Sequence, residues 1–313
     1  MEMTRKDFLK TVALAGMTTT FSSAAPIAVL AQQGKNAAGS DVDLVALMGG
    51  EPGPMFEKGI EALGGMSRFV DKGAKVVIKP NIGWDKKPEL AANTNPELIV
   101  AMINAAKDCG AKEIVVFDNT CDNWRKSYEN SGIEAAAKKA GAVVVPANEE
   151  RYYREVSLPK AKVLKKAKIH EAILDCDVWF NVPVLKNHGG AKMTIAMKNL
   201  MGIVWDRQAF HRLGLDQSIA DIGTYEKPAC LNVVDAYRAM KANGPRGRNE
   251  ADVVTPKCLF MSTDPVAVDV AAIRTFNQFQ NMPLENVRYV AMAEELKLGV
   301  VDLSKLNVER VKM

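Results

Sequence analysis

Three histidines, 6% aromatic residues and five scattered cysteines among 313 residues leave little material for several familiar kinds of chemistry. No C-x-x-C pair occurs, so neither a zinc ribbon nor an iron–sulfur cluster is expected in this chain. The cysteine count is odd and the chain is large, which argues against a disulfide framework. Cys109, Cys176, Cys230 and Cys258 lie in or beside apolar runs and read as core thiols; Cys121 stands in the polar loop 118–124. No basic tract is interleaved with aromatics, and a net charge of +4 is too small to suggest nucleic acid. Beyond the N-terminal stretch, no segment is long and apolar enough to span a membrane.

What is present begins with an N-terminus that reads as an export signal rather than part of the fold. Basic Thr4–Lys10 precedes a weakly apolar stretch to Leu30, and Val29-Leu30-Ala31 offers a cleavage site before Gln32. The opening resembles a twin-arginine signal, with Arg5-Lys6 where the motif has two arginines, a departure that leaves an ordinary secretory signal or an uncleaved anchor open. Thr18-Thr19-Thr20, Ser22, Ser23 and Pro26 make it too polar for a good span, so no stable membrane span is expected after cleavage. The expected divisions are residues 1–31 as signal, 32–41 as linker and 42–313 as one α/β domain, exported to the periplasm or beyond by the twin-arginine machinery.

Within that domain, short buried strands alternate with helices. Lys75–Lys79 (KVVIK) stops at Pro80. Asn95-Pro96 caps and opens a helix that Gly110 closes. Glu113–Phe117 is the next strand, Ser131 starts a capping box, and Ala142–Val145 is another strand. This β-α-β-α-β rhythm predicts an α/β fold, a mostly parallel sheet with helices on both faces. Residues 147–165 read as a peripheral β excursion. Asp177–Leu185 reads as one central strand followed by a helix over Met193–Met201. Leu231–Val234 ends at Asp235, Lys257–Met261 is a further strand, and Asp264-Pro265 opens a long helix through Phe276.

Ligands of open parallel sheets bind beyond the carboxyl ends of the strands. Lys79 and Asn81, then Asp118 and Cys121, then Lys186 and His188, then Asp235, then Asp264 each follow a predicted strand. Lys186, Lys192 and Lys198, with Asn199 and the amides of Gly189 and Gly190, suit an anion. GGAKMT lacks the P-loop spacing, and Met193, Met197 and Met201 at helical spacing read as core. His188 is the first candidate for acid–base work and His211 the second; His170, among lysines, reads as a surface residue. His188, His211, Asp221 and Asp235 could hold a divalent metal, although no spacing demands one. Asp118 and Asp264 each have a plainer reading as a loop or helix cap.

Several segments together carry a family resemblance: KPNIG from 79, NTNPELIVAMI from 93, VPVLKNHGGAKMTIAMKNLMGIV from 182, VVDAYRAM from 233, the GPRG loop and STDPVAVDVAA from 262. The chain resembles the domain-of-unknown-function 362 family over roughly residues 42–300. The resemblance implies a fold and shared site positions at Lys79, Asn81, Lys186, His188, Lys198, Asn199, Asp235 and Asp264, and it supplies no reaction. It also implies export for many relatives. The ferredoxin-like extension of some relatives has no counterpart among these cysteines, and no motif can be matched to the nickel-dependent lactate racemases. The expectation is an enzyme binding an anionic small molecule, phosphate or carboxylate, in a Lys/His-lined cleft. The alternative is a non-catalytic ligand-binding or redox-accessory protein, exported folded, with a redox partner.

Overall fold

The computed structural model describes residues 40–313; the expected signal and most of the expected linker lie outside them. An eleven-stranded sheet forms the centre. Its strands in chain order are β1 (Leu44–Met48), β2 (Lys75–Pro80), β3 (Glu113–Val116) and β4 (Val143–Val144). The pair β5 (Tyr153–Ser157) and β6 (Lys166–His170) forms a separate two-stranded sheet. The main sheet continues with β7 (Val178–Val182), β8 (Val184–His188), β9 (Lys192–Thr194), β10 (Leu231–Met240), β11 (Val253–Val254), β12 (Cys258–Ser262) and β13 (Val308–Lys312). The spatial order is β13-β1-β12-β10-β7-β2-β3-β4, with β8 and β11 on β10, and β9 on β8.

The helices are α1 (Pro52–Ala62), α2 (Pro96–Asp108), α3 (Trp124–Asn130), α4 (Ile133–Ala140), α5 (Glu171–Asp175), α6 (Ala196–Asn199), α7 (Gln208–Leu213), α8 (Leu215–Ile222), α9 (Pro265–Phe276) and α10 (Arg288–Glu295). Successive strand side chains point to opposite faces, so each strand feeds two cores. Val76, Ile78, Phe180 and Val233 pack with α1, α2 and α4; Val77, Trp179, Val234 and Phe260 pack with α6, α8, α9 and α10. Burial on both faces explains why the strands read as near-continuous apolar runs. The fold is therefore α/β, a mostly parallel sheet covered on both faces, with the β5–β6 excursion at its periphery. No helix among the described residues is long and apolar enough to cross a membrane.

Local chemistry sets several departures from the sequence reading. The expected single strand 177–185 is broken at Pro183: β7 pairs with β2 and β10, and β8 leaves β2 and pairs with β10 and β9. Proline has no N–H to donate, so pairing changes there, and its carbonyl accepts from the Asp235 N–H at 2.9 Å. Gly189-Gly190 turns the β8–β9 hairpin rather than opening a helix, and α6 is only four residues long. Ser131 ends α3 instead of opening a capping box; Gly132, at φ 72°, starts α4. β10 continues through Asp235 to Met240 instead of ending at Asp235. Asn95 does cap α2, accepting from the Glu97 N–H at 3.0 Å, with Pro96 at the first position.

Candidate functional site

β2, β3, β7 and β10 run parallel, whereas β12 runs antiparallel to both its neighbours. The carboxyl ends of β2, β3 and β8 therefore share one rim, and Asp264, after β12, belongs to the opposite rim. There its carboxylate caps α9 through the Val266 and Ala267 N–H groups, both at 2.8 Å, and accepts from Val300. Burial raises its pKa despite those bonds. Asp264 is a structural cap and does not join the other candidates.

At the shared rim, Lys79 is fully buried and spends its three protons on Asp118 Oδ1, the Pro80 carbonyl and Asn199 Oδ1, each at 2.8 Å. Asp118, 2% exposed, also accepts from the Ile82 N–H. Burial pulls the Lys79 pKa down and Asp118 opposes that pull. Gly202 makes the pair possible: a Cβ there would lie 2.0 Å from Asp118 Oδ1 and 2.5 Å from Lys79 Nζ.

Lys186 is equally buried and has no carboxylate partner among the described residues. Its ammonium donates to Asn81 Oδ1 at 2.9 Å and to the Ala92 carbonyl. From Asn81 a chain of amides runs inward: Asn81 donates to Asn199, Asn199 to Asn181, and Asn181 to Asn232, at 2.8–3.0 Å. Burial first, then the neighbouring Lys198 and Lys79, lower the Lys186 pKa to about 7, against the pull of Cys121 and Asp118.

Lys198 stands on α6, whose first two N–H groups are held by the buried Asp269 carboxylate at 2.7 and 3.2 Å. Lys198 is half-buried and has no hydrogen bond or ion pair among the described residues. Burial lowers its pKa to about 8; Arg207 and Lys79 add to the fall, while Cys121 and Asp118 oppose it. Arg207 donates to the Asn119 carbonyl at 2.9 Å, to the Thr120 carbonyl, and to Cys121 Sγ at 3.0 Å. Lys79, Lys186, Lys198 and Arg207 thus bring four basic groups to the rim, and among the described residues the single carboxylate paired with any of them is Asp118.

His188 borders this group. Its Nδ1 accepts from the Gly190 and Ala191 N–H groups at 3.1 and 3.0 Å, which places the proton of the neutral ring on Nε2. Burial, then Lys198, Lys186 and His211, hold its pKa near 3. The neutral ring therefore has Nε2–H as its free donor. The same contact occupies the Gly190 amide, and Gly189 and Lys192 are exposed on the hairpin. His211 is exposed on α7.

Asp235 is buried mid-strand and is held by the Asn95 and Tyr237 N–H groups at 2.7 and 3.1 Å, with no bond to the lysines. Asp221 is occupied by the N–H groups of residues 162–164 and by Gln217. His188, His211, Asp221 and Asp235 do not converge as the metal alternative requires, and among the described residues no group of three or more His, Cys, Asp or Glu does. His170, expected at the surface, is buried, stacked on Phe117, and caps α5 through Nδ1 to the Ala172 N–H. Burial lowers its pKa to about 4.

Arg207, Asn181, Gly202 and Asp269 were missed in the sequence. Arg207 lies four positions before His211 in an irregular polar stretch, and the histidine drew the attention. Asp269 follows the STDP segment inside an apolar helix, and a buried acid there was the available signal. The basic loop 243–249 closes one side of the rim: the Gly244 N–H donates to Asn187 Oδ1 at 2.8 Å, and Arg246 lies over Trp84 and 3.4 Å from Asp122.

The chain belongs to the family described as Domain of unknown function (DUF362), which matches residues 76–274. A thylakoid-associated protein of Synechocystis is 26% identical over 233 residues, 69% of this chain and 70% of that one. Two solved structures are similar. A Thermotoga maritima protein has TM-score 0.41 at 11% identity, over 78% of this chain and 58% of its own. The lactate racemase apoprotein of Thermoanaerobacterium thermosaccharolyticum has TM-score 0.38 at 9% identity, over 76% and 58%. The chain spans under two thirds of the length of either structure.

Proposed function

We propose that the lysine cluster at the rim binds a small anionic molecule, a phosphate or carboxylate, and that the protein is an enzyme acting on it. The observation that carries this reading is Lys198, a half-buried ammonium with no hydrogen bond or ion pair among the described residues, beside Lys186, which has no carboxylate partner. An uncompensated cation away from water costs stability, a cost that a binding role would explain. An anion bound there would supply the missing charge and raise the pKa of both lysines. Before binding, lysines with pKa near 7 and 8 exchange protons at neutral pH, which suits general acid–base work. That role passes from His188, whose Nδ1 is occupied, to Lys186, and His188 Nε2–H becomes an orienting donor. Asn81 and Asn199 fix the ammonium positions, and Cys121 and Arg207 border the entrance. His211 and Lys192, exposed nearby, would add positive potential at the approach.

A second reading, a non-catalytic binding protein, is favoured by one fact: the site's carboxylate, Asp118, is already committed to Lys79. Calorimetric titration of the full chain with inorganic phosphate and with acetate at pH 7 tests the shared claim. Saturable binding of at least one is expected. Lys198→Ala should weaken it about 10- to 100-fold, the range of a lost charge-assisted hydrogen bond. Absence of binding to both anions at millimolar concentration would overturn the proposal. A turnover would itself exclude the binding-only reading, and a collapse of kcat in Lys186→Met would then assign the acid–base role to Lys186. The N-terminal segment is proposed as a twin-arginine-type export signal. Export of a reporter fused behind residues 1–40, lost on changing both Arg5 and Lys6 to Gln, tests it.

A further inference from the structure

We infer that the ligand has two parts: the cleft beside the lysine pocket is a second subsite, for a planar aromatic or heteroaromatic ring attached to the anionic group. The inference rests on the anion-pocket reading above. A cleft of about 350 Å³ opens next to the rim, lined by Asn119, Asn123, Trp124, Asn148, Trp205 and Arg207 among others. That space is adequate for a ring system of one or two rings.

Among mostly polar lining residues, Asp122 included, the two aromatic ones, Trp124 and Trp205, are braced by neighbours. Trp205 leans on Tyr153 with ring centroids 5.4 Å apart, and Trp124 meets Tyr128 edge-on at 6.0 Å. Side chains held in place before binding lose little freedom when a ring lies against them. The cleft also holds unspent polar groups. Neither indole N–H of Trp124 and Trp205 has a hydrogen-bond partner among the described residues, whereas the core Trp179 donates to the Lys227 carbonyl at 3.0 Å. Asn148 Oδ1 is buried without a partner. Two indole donors and one amide suit a ring with heteroatoms or polar substituents better than a plain hydrocarbon.

Arg207 joins the two compartments. Its side chain lines the cleft, while its guanidinium bonds Cys121 Sγ and the 119–120 carbonyls at the edge of the lysine pocket. A ligand whose anionic end lies by Lys198 would pass this guanidinium and place its other end between the tryptophans.

The test titrates the full chain with paired probes: inorganic phosphate against phenyl phosphate, and acetate against indole-3-acetate, with uncharged indole as the fifth. The ring-bearing member of each pair should bind about tenfold or more tightly, the scale of one stacked ring. Asn148→Leu and Trp124→Ala, changed separately so that a misfolded variant does not end the test, should each bring the ratio within a pair toward one. Paired affinities within about twofold, with phosphate still bound, would overturn the ring subsite and leave the anion pocket standing. Indole binding as tightly as indole-3-acetate would overturn the coupling of the two parts. Failure of all five probes to bind would overturn both proposals.

Discussion

Lys198→Met should make the protein more stable while weakening its binding of anions. Lys198 has no hydrogen bond or ion pair among the described residues, so removing its charge orphans no partner. Its pKa is about 8 in the folded chain, and near 10.4 is usual for an unfolded one. Because the folded pKa is the lower, the unfolded state holds the proton more tightly, and protonation favours unfolding. The cost is fully present below pH 8, declines as pH rises, and vanishes above about 10.4. A difference of about 2.4 pKa units at 1.36 kcal/mol each sets an upper value of about 3 kcal/mol. The residual exposure of Lys198 trims this, and a gain of about 1–3 kcal/mol at pH 7 is expected. Methionine keeps the length and apolar stem of the side chain. Urea unfolding of the wild type and variant at pH 6.5, 8.5 and 10 measures the gain, which should shrink steadily across the series. A variant less stable than wild type at pH 6.5, or a gain indifferent to pH, would refute the reasoning.

Asp118→Asn should cost about 3–5 kcal/mol at pH 7, because it leaves the buried Lys79 ammonium without its counter-charge. Adding Lys79→Met should recover much of that loss, so denaturant unfolding of the double variant should show less than the sum of the single losses. The Asp118→Asn deficit should narrow between neutral pH and about pH 10, as an unpaired Lys79, its pKa depressed further, folds neutral. Asp235 makes the opposite demand. Burial raises its pKa to about 6, so the folded state holds its proton more tightly, and its contribution to stability falls between about pH 4 and 6. The difference in stability between wild type and Asp235→Asn should change across that interval and level off above it; a difference constant from pH 4 to 7 would contradict the burial argument.

The sheet was legible because strands buried on both faces must be apolar throughout, and caps such as Asn95-Pro96 and Asp264-Pro265 announce their helices locally. What failed depended on partners distant in the chain. Pro183 could have been a strand end or a change of pairing partner, and only the approach of β10 decides between them. Asp264 looked like a rim residue because sequence does not report strand direction, and β12 alone in its neighbourhood runs backwards. Lys79, Lys186 and Lys198 were legible as candidates from their places at strand ends and on the helix expected over Met193–Met201. Their unequal states were not: whether a lysine meets a carboxylate, an amide or nothing is set by Asp118, Asn81 and Asn199, which lie up to 120 positions away. His188 illustrates the same limit at short range. Its type and position suggested a base, and two backbone N–H groups of its own hairpin turn it into a donor.

The central claim is that the rim holds buried cations awaiting a negative partner. Carbon-13 resonances of the lysine ε-positions, assigned by Lys186→Arg and Lys198→Arg and followed from pH 5 to 11, test it most directly. Two lysines should titrate far below the rest, near pH 7 and 8, and both midpoints should move up when phosphate or acetate is added. Both lysines titrating with the surface population, or early midpoints that no phosphate or carboxylate shifts, would contradict it.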